Sequence, residues 1–352
     1  MSKLYKKKIF VIGAFGYKRN QLDGQTIKTR SVYNLLEDRY KGEVEKIDTL
    51  EVKRMPWMVF PLLYHLITCK TLVTLPSENN MTFLFPAVYI LSVLFRYDIV
   101  LICIGGRQVE YFNGNGQFSP HQLQLSCSKK IKAFLPEMEK ENMNLIRSFN
   151  FRNTEVFPNF RKFKDISVGP YSGDELKIVF MARIRKDKGY PAVFSLAEFI
   201  RKERINATIT FYGSIDPQDK DVFQSLIRQN SDIVFYRGVL NPECIQETLS
   251  QYDVMVLPTS HYTEGFPGTV LDAFIAGIPV IVTEWEYSRE FVDDGITGFV
   301  VPFENGQDQL NEKVKLLYND RALLNEMKIN AKAEREKYSE DSAWRVIEKY
   351  IC

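Results

Sequence analysis

The stretch Glu264-Gly-Phe-Pro-Gly-Thr-Val-Leu-Asp272 is the most informative part of this chain. It follows an apolar run, Val254-Met-Val-Leu257, that ends at Pro258, and it leads into Ala273-Phe-Ile-Ala-Gly277. This order predicts a buried strand, a glycine-bearing loop and then a helix. Free N–H groups and the positive end of the helix dipole would point at whatever lies above the loop, which suits an anion. We therefore expect this turn, with a carboxylate before it and another inside the helix, to bind a ligand that carries phosphate and hydroxyl groups.

Length and composition limit the class of protein and its possible partners. The chain has 352 residues, of which 45% are hydrophobic and 26% are charged, and this is typical of a globular protein with two cores. The formal net charge of +2 argues against duplex nucleic acid as a partner. Five scattered cysteines without metal-like spacing indicate a reducing compartment. The basic N-terminus precedes only a short apolar run broken by Gly13, which favours a first strand over a signal peptide.

Short apolar runs alternate with helical patterns along both halves of the chain. This predicts an α/β fold, in which doubly wound parallel sheets carry helices on both faces. The predicted strands cover residues 8–12, 44–47, 71–75, 99–104, 130–134, 154–157, 178–182, 207–212, 233–236, 253–257 and 279–282. The polar segment 161–175 is the predicted linker. We expect domains at 1–164 and 165–336, followed by a terminal helix at 337–352, and ligands bound beyond the carboxyl ends of the strands.

Two segments of the first half are unusually apolar. Residues 81–95 predict one buried helix, because the run is interrupted by Pro86 and is shorter than the roughly 20 residues that a membrane span needs. Residues 57–64 are expected to pack in the core. Contact with a membrane surface is the alternative for this second segment.

The strand ends of the second half carry cations and glycines. Arg183 and Lys188 follow the first strand there and could clamp a diphosphate, although a solvated basic loop is the favoured interpretation of that motif alone. Gly213 ends the next strand, and Arg237-Gly-Val239 ends the third. Several strand ends of this kind at one edge of a sheet are stronger evidence for a ligand site together than each is alone.

Taken together, these motifs and Ala276-Gly-Ile-Pro279 resemble the nucleotide-binding half of retaining GT-B glycosyltransferases of the family-4 type. The resemblance is strong over residues 178–302. In the first half, Asp23-Gly-Gln-Thr26, Gly105-Gly106 and Val156-Phe-Pro-Asn-Phe160 are similar to bacterial surface-polysaccharide members. The resemblance implies two Rossmann-like domains facing across a cleft, the first on the acceptor side and the second binding the donor. It also implies a C-terminal helix that crosses back to the first domain.

The same resemblance implies roles for individual positions. Glu264, with the amides of Gly265 and Phe266, would hold the hydroxyl groups of the donor sugar. Arg183 and Lys188 would neutralise the leaving diphosphate, and these two with Glu264 form the implied catalytic set. The implied donor-binding positions are Gly16, Gly213, Arg237, Gly238, Val239, Gly265, Phe266, Pro267, Gly268, Thr269 and Asp272.

Two positions depart from the family pattern. Asp272 would bind the ribose hydroxyls where the family has glutamate, and an exposed helix carboxylate is its alternative. Gly105-Gly106-Arg107 stands where many family members have a histidine. Arg107 and Gln108 are therefore the candidates for contact with the acceptor, and a surface loop without such a role is an equal alternative.

No cofactor and no metal ion are expected. His65, His121 and His261 lack metal-ligand spacing, and Asp219-Lys-Asp221 falls early in a predicted helix, where acids stabilise the N-terminal end. The resemblance implies attack from the front face, with the leaving phosphate taking the acceptor proton. The donor is expected to be a UDP-sugar rather than a GDP-sugar.

The sequence thus predicts a retaining, metal-independent glycosyltransferase of the hexosyltransferase type in surface, capsular or exopolysaccharide biosynthesis. Its acceptor would be a glycan, expected to be lipid-linked, and the enzyme would be cytoplasmic at the inner face of the membrane, as a peripheral protein. The alternatives are a nucleotide-sugar epimerase or glycan phosphorylase with the same fold, and a non-catalytic GT-B partner subunit.

Overall fold

The computed structural model describes residues 9–19, 21, 23–52, 54–114, 120–163 and 173–351. These residues form two compact units. The first unit holds the described residues up to Lys162 and those from Tyr338 onward, and the second runs from Phe163 to Lys337. These divisions lie within two residues of the boundaries expected from the sequence. Much of the predicted linker lies outside the described residues.

The strands of both units are short, apolar and parallel. They are β1 (Ile9–Gly13), β2 (Val44–Asp48), β3 (Thr71–Leu75), β4 (Asp98–Ile102), β5 (Ala133–Leu135), β6 (Leu176–Met181), β7 (Ala207–Tyr212), β8 (Val234–Tyr236), β9 (Val254–Leu257), β10 (Val280–Thr283) and β11 (Gly298–Val301).

The helices connect these strands and cover the sheets. They are α1 (Gly24–Arg39), α2 (Thr49–Val52), α3 (Val59–Thr68), α4 (Glu78–Phe83), α5 (Phe85–Phe95), α6 (Gln108–Phe112), α7 (Pro120–Ser128), α8 (Glu139–Phe149), α9 (Tyr190–Glu203), α10 (Lys220–Gln229), α11 (Ile245–Leu249), α12 (Gly268–Ile275), α13 (Ser288–Phe291), α14 (Gln307–Asn319), α15 (Arg321–Glu334) and α16 (Glu340–Ile347).

The first unit is built on a sheet with the order β2-β1-β3-β4-β5. Successive residues of a strand point to opposite faces, so that Ile9 and Val11 pack in one core and Phe10 and Ile12 in the other. Helices α3 and α5 close the core that contains Phe10, whereas α1 and α16 close the other. The sheet is therefore covered by helices on both faces, as predicted.

The second unit has a sheet with the order β11-β10-β9-β6-β7-β8. Its first strand, β6, lies between β7 and β9, and the strand order reverses between β6 and β9. Ligands in open α/β sheets bind at such a switch point, beyond the carboxyl ends of the strands. The loops after β6 and β9 are consequently neighbours at the edge where a ligand is expected.

The last helix, α16, belongs to the first unit although it follows the second in the chain. Ala343 and Ile347 are buried in the core beside α1, and the ring of Trp344 lies 5.9 Å from that of Tyr40. The guanidinium of Arg39 stacks over Trp344 at 5.2 Å. The chain therefore crosses back to its first unit, as the resemblance implied.

Two predicted elements differ in kind from the structure, and one strand was not predicted. Residues 154–157 form only an isolated bridge between Thr154 and Phe134. The N–H of Phe157 still donates to the carbonyl of Pro136 at 2.7 Å, but Pro136 has no N–H to return and the ladder stops there. The predicted helix 81–95 is two helices, α4 and α5, and Pro86 lies in the first turn of the second, where proline is well tolerated. Strand β11 was missed, since it is only four residues long and begins with a glycine.

The expectation that residues 57–64 pack in the core is wrong for most of their large side chains. Trp57, Phe60 and Tyr64 are exposed, and so are Ile90, Val93 and Leu94 on α5. Leu62 and Leu66 make the core contacts of α3. Across the residues that the structure describes, no helix is both long and apolar enough to cross a membrane.

Candidate active site

The loops after β6 and β9 are joined through the backbone carbonyl of Asp187. It accepts hydrogen bonds from the N–H of Ser260 at 2.8 Å and from the hydroxyl of Thr259 at 3.0 Å. Gly189 makes this closeness feasible, because its φ is +89° and a Cβ there would lie 1.9 Å from the carbonyl oxygen of Pro258. The two loops are therefore fixed to each other at the switch point.

This arrangement brings Lys188 and Glu264 together, 76 residues apart in the chain. The Lys188 ammonium donates a hydrogen bond to the Glu264 carboxylate, and the two side chains are 20% and 17% exposed. The backbone N–H of Glu264 donates to the carbonyl of His261 at 3.2 Å, which helps to shape the loop. Both charged groups lie at the edge of the sheet, partly shielded from water but still within reach of a ligand.

A second ion pair supports the same loop. Arg185 donates two hydrogen bonds to the two carboxylate oxygens of Asp187, each at 2.5 Å. Burial alone would raise the pKa of Asp187, but the hydrogen bonds and charge of Arg185, with the charges of Lys188 and His261, outweigh it and lower the pKa below its usual value. Sequence reasoning missed this pair, although both residues stand in the run that contains Arg183 and Lys188.

Arg183, by contrast, is exposed, and its side chain makes no hydrogen bond or ion pair with the described part of the chain. Its neighbours Ala182 and Ile184 are tied to β7 and to the loop after it, since the N–H of Ala182 donates to Tyr212 and that of Ile184 to Ser214. The backbone on both sides of Arg183 is thus anchored while its guanidinium stays available to an anion.

The turn into α12 leaves donors without a side-chain cap. Its N-cap residue is Pro267, which makes no side-chain capping bond, so the first amides of the helix keep donor capacity. Phe266 is buried and its ring stacks on Phe291 with centroids 3.9 Å apart, which fixes the backbone before the helix. The hydroxyl oxygen of Thr269 is buried without a hydrogen-bond partner among the described residues. These features suit the anion site that the sequence predicted.

Asp272 is buried within α12, at 7% exposure. An exposed helix carboxylate, the alternative given above, is therefore excluded. A buried carboxylate needs hydrogen bonds or a positive neighbour, so the helix holds this group for a structural or binding purpose.

Gly213 lies close to the backbone at the end of the neighbouring strand. Its φ is +141°, and a Cβ there would lie 1.8 Å from the carbonyl oxygen of Ala182, so the close backbone approach is made to the chain itself. The N–H of Gly213 donates to the carbonyl of Gly238 at 2.8 Å. Arg237 and Val239, beside Gly238, are exposed at the end of β8. The three strand ends are therefore joined along one edge.

The acidic motif at 219–221 serves the fold. The carboxylate of Asp219 accepts hydrogen bonds from the Tyr190 hydroxyl at 3.0 Å and from the Lys186 N–H at 3.2 Å. Burial, with the hydrogen bond and charge of Asp219, raises the pKa of Tyr190 to about 12. Within the described ranges, no group of three or more histidine, cysteine or acidic residues could hold a metal ion.

In the first unit, the loop that contains Gly16 is already hydrogen-bonded. The carboxylate of Asp48 accepts the N–H groups of Phe15 and Gly16 at 3.1 and 2.8 Å, and Arg30 donates to the carbonyl of Phe15 at 2.7 Å. The Gly16 amide is thus committed to Asp48. This differs from the free donor that contact with a phosphate would need.

Arg107 and Gln108 lie above a buried ion pair that the sequence did not reveal. Arg107 is exposed and pairs with Glu110 at 3.0 Å and with Glu78 at 3.6 Å, whereas the N–H of Gln108 donates to Glu141 at 2.8 Å. The lysine of that pair is on the buried side of α1.

That lysine is Lys28, whose ammonium is 2.6 Å from the carboxylate of Glu137, with side-chain exposures of 1% and 3%. Lys28 also donates to the carbonyls of Cys103 and Phe157, each at 3.2 Å, and Glu137 accepts the N–H of Gly105 at 3.1 Å. Burial lowers the pKa of Lys28, with Glu137 opposing the shift. The pair holds the start of the Gly105–Gly106 loop.

Comparison with known proteins finds a family match and several similar chains. Residues 162–334 match the family described as glycosyl transferases group 1. The chain is 26% identical over 233 residues to the capsular polysaccharide biosynthesis glycosyltransferase CapM of Staphylococcus aureus, covering 64% of this chain and 60% of CapM. It is 29% identical over 206 residues, 57% of this chain, to the N,N'-diacetylbacillosaminyl-diphospho-undecaprenol alpha-1,3-N-acetylgalactosaminyltransferase of Campylobacter jejuni, and spans 52% of that protein. The matches thus span less than two thirds of either relative.

Solved structures share the fold over nearly the whole chain. The structure of Anabaena HepE in complex with UDP has a TM-score of 0.72 at 12% identity, covering 97% of this chain and 98% of HepE. Sucrose-phosphate synthase from Thermosynechococcus elongatus has a TM-score of 0.71 at 16% identity and covers 97% of each chain. The two-unit α/β architecture is therefore the one that these proteins have.

Proposed function

We propose that the chain is a glycosyltransferase of capsular or exopolysaccharide biosynthesis, because residues 162–334 match the glycosyl transferases group 1 family and CapM is a similar chain. It moves a sugar from a nucleotide-diphosphate sugar, a UDP-sugar, to a glycan acceptor that is lipid-linked. The observation that carries this proposal is the Lys188–Glu264 pair beside the uncapped start of α12, at the switch point of the sheet.

The reaction we propose uses charges that the site already holds in place. Negative charge grows on the leaving diphosphate as the bond to the sugar breaks, and preorganised cations and amides stabilise it more than they stabilise the ground state. Arg183 and Lys188 supply the cations, and Glu264 orients the sugar hydroxyls. Each such contact lowers the barrier by about 2–4 kcal/mol. The anomeric configuration is retained, the leaving phosphate takes the acceptor proton, and no metal ion is required.

Names of relatives and ligands of neighbours support the substrate class. CapM is named for capsular polysaccharide biosynthesis, and the Campylobacter relative is named for transfer to a diphospho-undecaprenol acceptor. HepE was solved with UDP bound. We extend a UDP donor and a lipid-linked glycan acceptor to this chain on that basis, with the enzyme at the cytoplasmic face of the membrane.

A panel of nucleoside diphosphates tests the donor site. In chelator, UDP should stabilise the purified chain by about 2.7 kcal/mol at a hundredfold excess over its dissociation constant, because a ligand that binds only the folded state shifts unfolding by mass action. The measurement is the thermal midpoint with UDP, GDP, ADP and dTDP. If only GDP raises the midpoint, the donor is a GDP-sugar instead. If the midpoint rises only with added divalent cation, metal independence is contradicted. If no nucleotide raises the midpoint, the proposed donor site is wrong.

A labelled UDP-sugar distinguishes transfer from the other reactions of this fold. Label moving into a chloroform-soluble product, with UDP released, is the expected result. Interconversion of the labelled sugar without UDP release would mean an epimerase. Dependence on inorganic phosphate would mean a phosphorylase. Binding of UDP without any turnover would mean a non-catalytic subunit.

A further inference from the structure

An exposed apolar face lies on the first unit. It consists of the outward side chains of α3 and the residues just before it, together with those of α5. We call it the α3–α5 face, and its members are Trp57, Val59, Phe60, Leu63, Tyr64, Ile67, Ile90, Val93, Leu94 and Phe95. Phe60 is 76% exposed and Leu94 is 66% exposed, which is unusual for side chains of this size.

The two helices present these side chains in the same direction. Leu62 and Leu66 of α3 and Phe85 and Val88 of α5 pack into one core on one face of the sheet. The helices also contact each other. Since the inner sides share a core, the outer sides form one continuous surface rather than scattered apolar residues.

The segments that carry the face contain few acidic residues. From residue 55 to residue 97 the chain has a single acidic residue, Glu78, whereas 44 acidic residues in 352 would place about five in a run of that length. Arg54, Lys70 and Arg96 are exposed at the ends of the segments that carry the face. Arg54 lies 3.6 Å from Glu51, and Asp98, two residues after Arg96, lies 3.4 Å from Lys132. Glu78 lies 3.6 Å from Arg107. An apolar surface with a cationic border is complementary to an anionic lipid bilayer.

The composition of the face also favours lipid. Trp57 precedes α3 and Tyr64 lies within it, and these two residue types are enriched at membrane–water interfaces. Because no helix in the described residues can span a bilayer, the contact would be with the surface only.

We propose that the α3–α5 face binds the surface of an anionic phospholipid bilayer. This goes beyond the transfer reaction and does not depend on it, because a chain that transfers no sugar could still bind vesicles. The apolar side chains enter the boundary between headgroups and acyl chains, and Arg54, Lys70 and Arg96 lie against the headgroups.

Co-sedimentation with vesicles tests the proposal without any nucleotide. The full chain should bind vesicles of phosphatidylcholine with phosphatidylglycerol more tightly than vesicles of phosphatidylcholine alone, and added salt should weaken the binding. The double variant Phe60→Ser/Leu94→Ser should lower the partition coefficient by at least ~10-fold, since each substitution removes a side chain whose burial is worth about that factor. Thermal stability should change little, because both side chains are exposed in the free protein.

A matched control uses the second unit. Ile329 is 71% exposed on α15, so Ile329→Ser removes a comparable apolar side chain and should leave vesicle binding unchanged. Brominated lipids should quench tryptophan fluorescence in the native chain and much less in Trp57→Leu, which keeps the face apolar. Equal binding by the double variant, or no binding to anionic vesicles, would overturn the proposal. So would a concentration-dependent dimer that the double variant abolishes, since it would identify a second copy as the occupant.

Discussion

Each unit of this protein holds a lysine–glutamate pair near the carboxyl ends of its strands, and the two pairs differ mainly in burial. Lys28 and Glu137 are almost completely buried, and each also makes hydrogen bonds with main-chain groups. Lys188 and Glu264 are each about a fifth exposed and face the open edge of the sheet. A buried, saturated pair can only hold the fold, whereas a pair at an edge can exchange partners with a ligand. Burial thus distinguishes the structural pair from the pair that we propose binds the donor.

The largest expected effect comes from breaking the buried pair. Lys28→Met should lower the free energy of unfolding by about 3–5 kcal/mol, because it leaves the Glu137 carboxylate buried without its partner. Urea denaturation measures this loss. Lys28→Met/Glu137→Gln should recover a large part of the stability, since no uncompensated charge then remains. A loss below about 1 kcal/mol in the single variant would mean that the pair behaves like a surface ion pair.

Breaking the edge pair should affect turnover rather than stability. Glu264→Gln should reduce the rate of sugar transfer by about 10²–10³-fold, as removal of one preorganised group in an active site does. Its unfolding free energy should change by no more than about 1 kcal/mol. Glu198→Gln, an exposed substitution on α9, is the matched control and should change neither quantity. Undiminished turnover in Glu264→Gln would remove this residue from the catalytic set.

The smallest effect is expected at the supporting pair, and it should depend on pH. Asp187→Asn should cost about 0.2–1 kcal/mol at neutral pH, because Arg185 and Asp187 are both partly exposed. The folded protein lowers the pKa of Asp187, so the folded state favours the charged form. The difference in unfolding free energy between the native protein and the variant should therefore be fully present above pH 3.8, the usual pKa of an aspartate. It should disappear as the pH falls through the lowered pKa of Asp187. A difference that grows on acidification would contradict this assignment.

Much of the fold could be predicted because parallel strands buried on both faces appear as short apolar runs. The strands at β1, β3, β7 and β9 were found in this way, and the last part of the chain is helical, as predicted. Residues 154–157 looked like a strand for the same reason. Whether a run joins a ladder depends on the donors of the strand that it meets, and hydrophobicity does not encode that the neighbour here ends at Pro136.

The site was predictable in its parts but not in its pairings. Arg183, Lys188 and Glu264 were candidates through the family resemblance, yet the Lys188–Glu264 contact depends on β9 lying beside β6. Lys28 and Glu137 are 109 residues apart, and only the packed sheet brings them together. The apolar character of α3 and α5 was evident from the sequence, whereas the outward direction of half their large side chains was not.

The backbone contact at Gly213 has a consequence for any mutational map of this protein. A side chain at Gly213 would collide with Ala182, and one at Gly189 with Pro258, so both positions are closed to every other amino acid. In a saturation scan scored on protein abundance, these two glycines should stand out sharply while Glu264 tolerates many replacements. Scored on turnover, all three positions should be intolerant. Subtracting the first map from the second should therefore remove the glycines and leave the residues that touch the ligand.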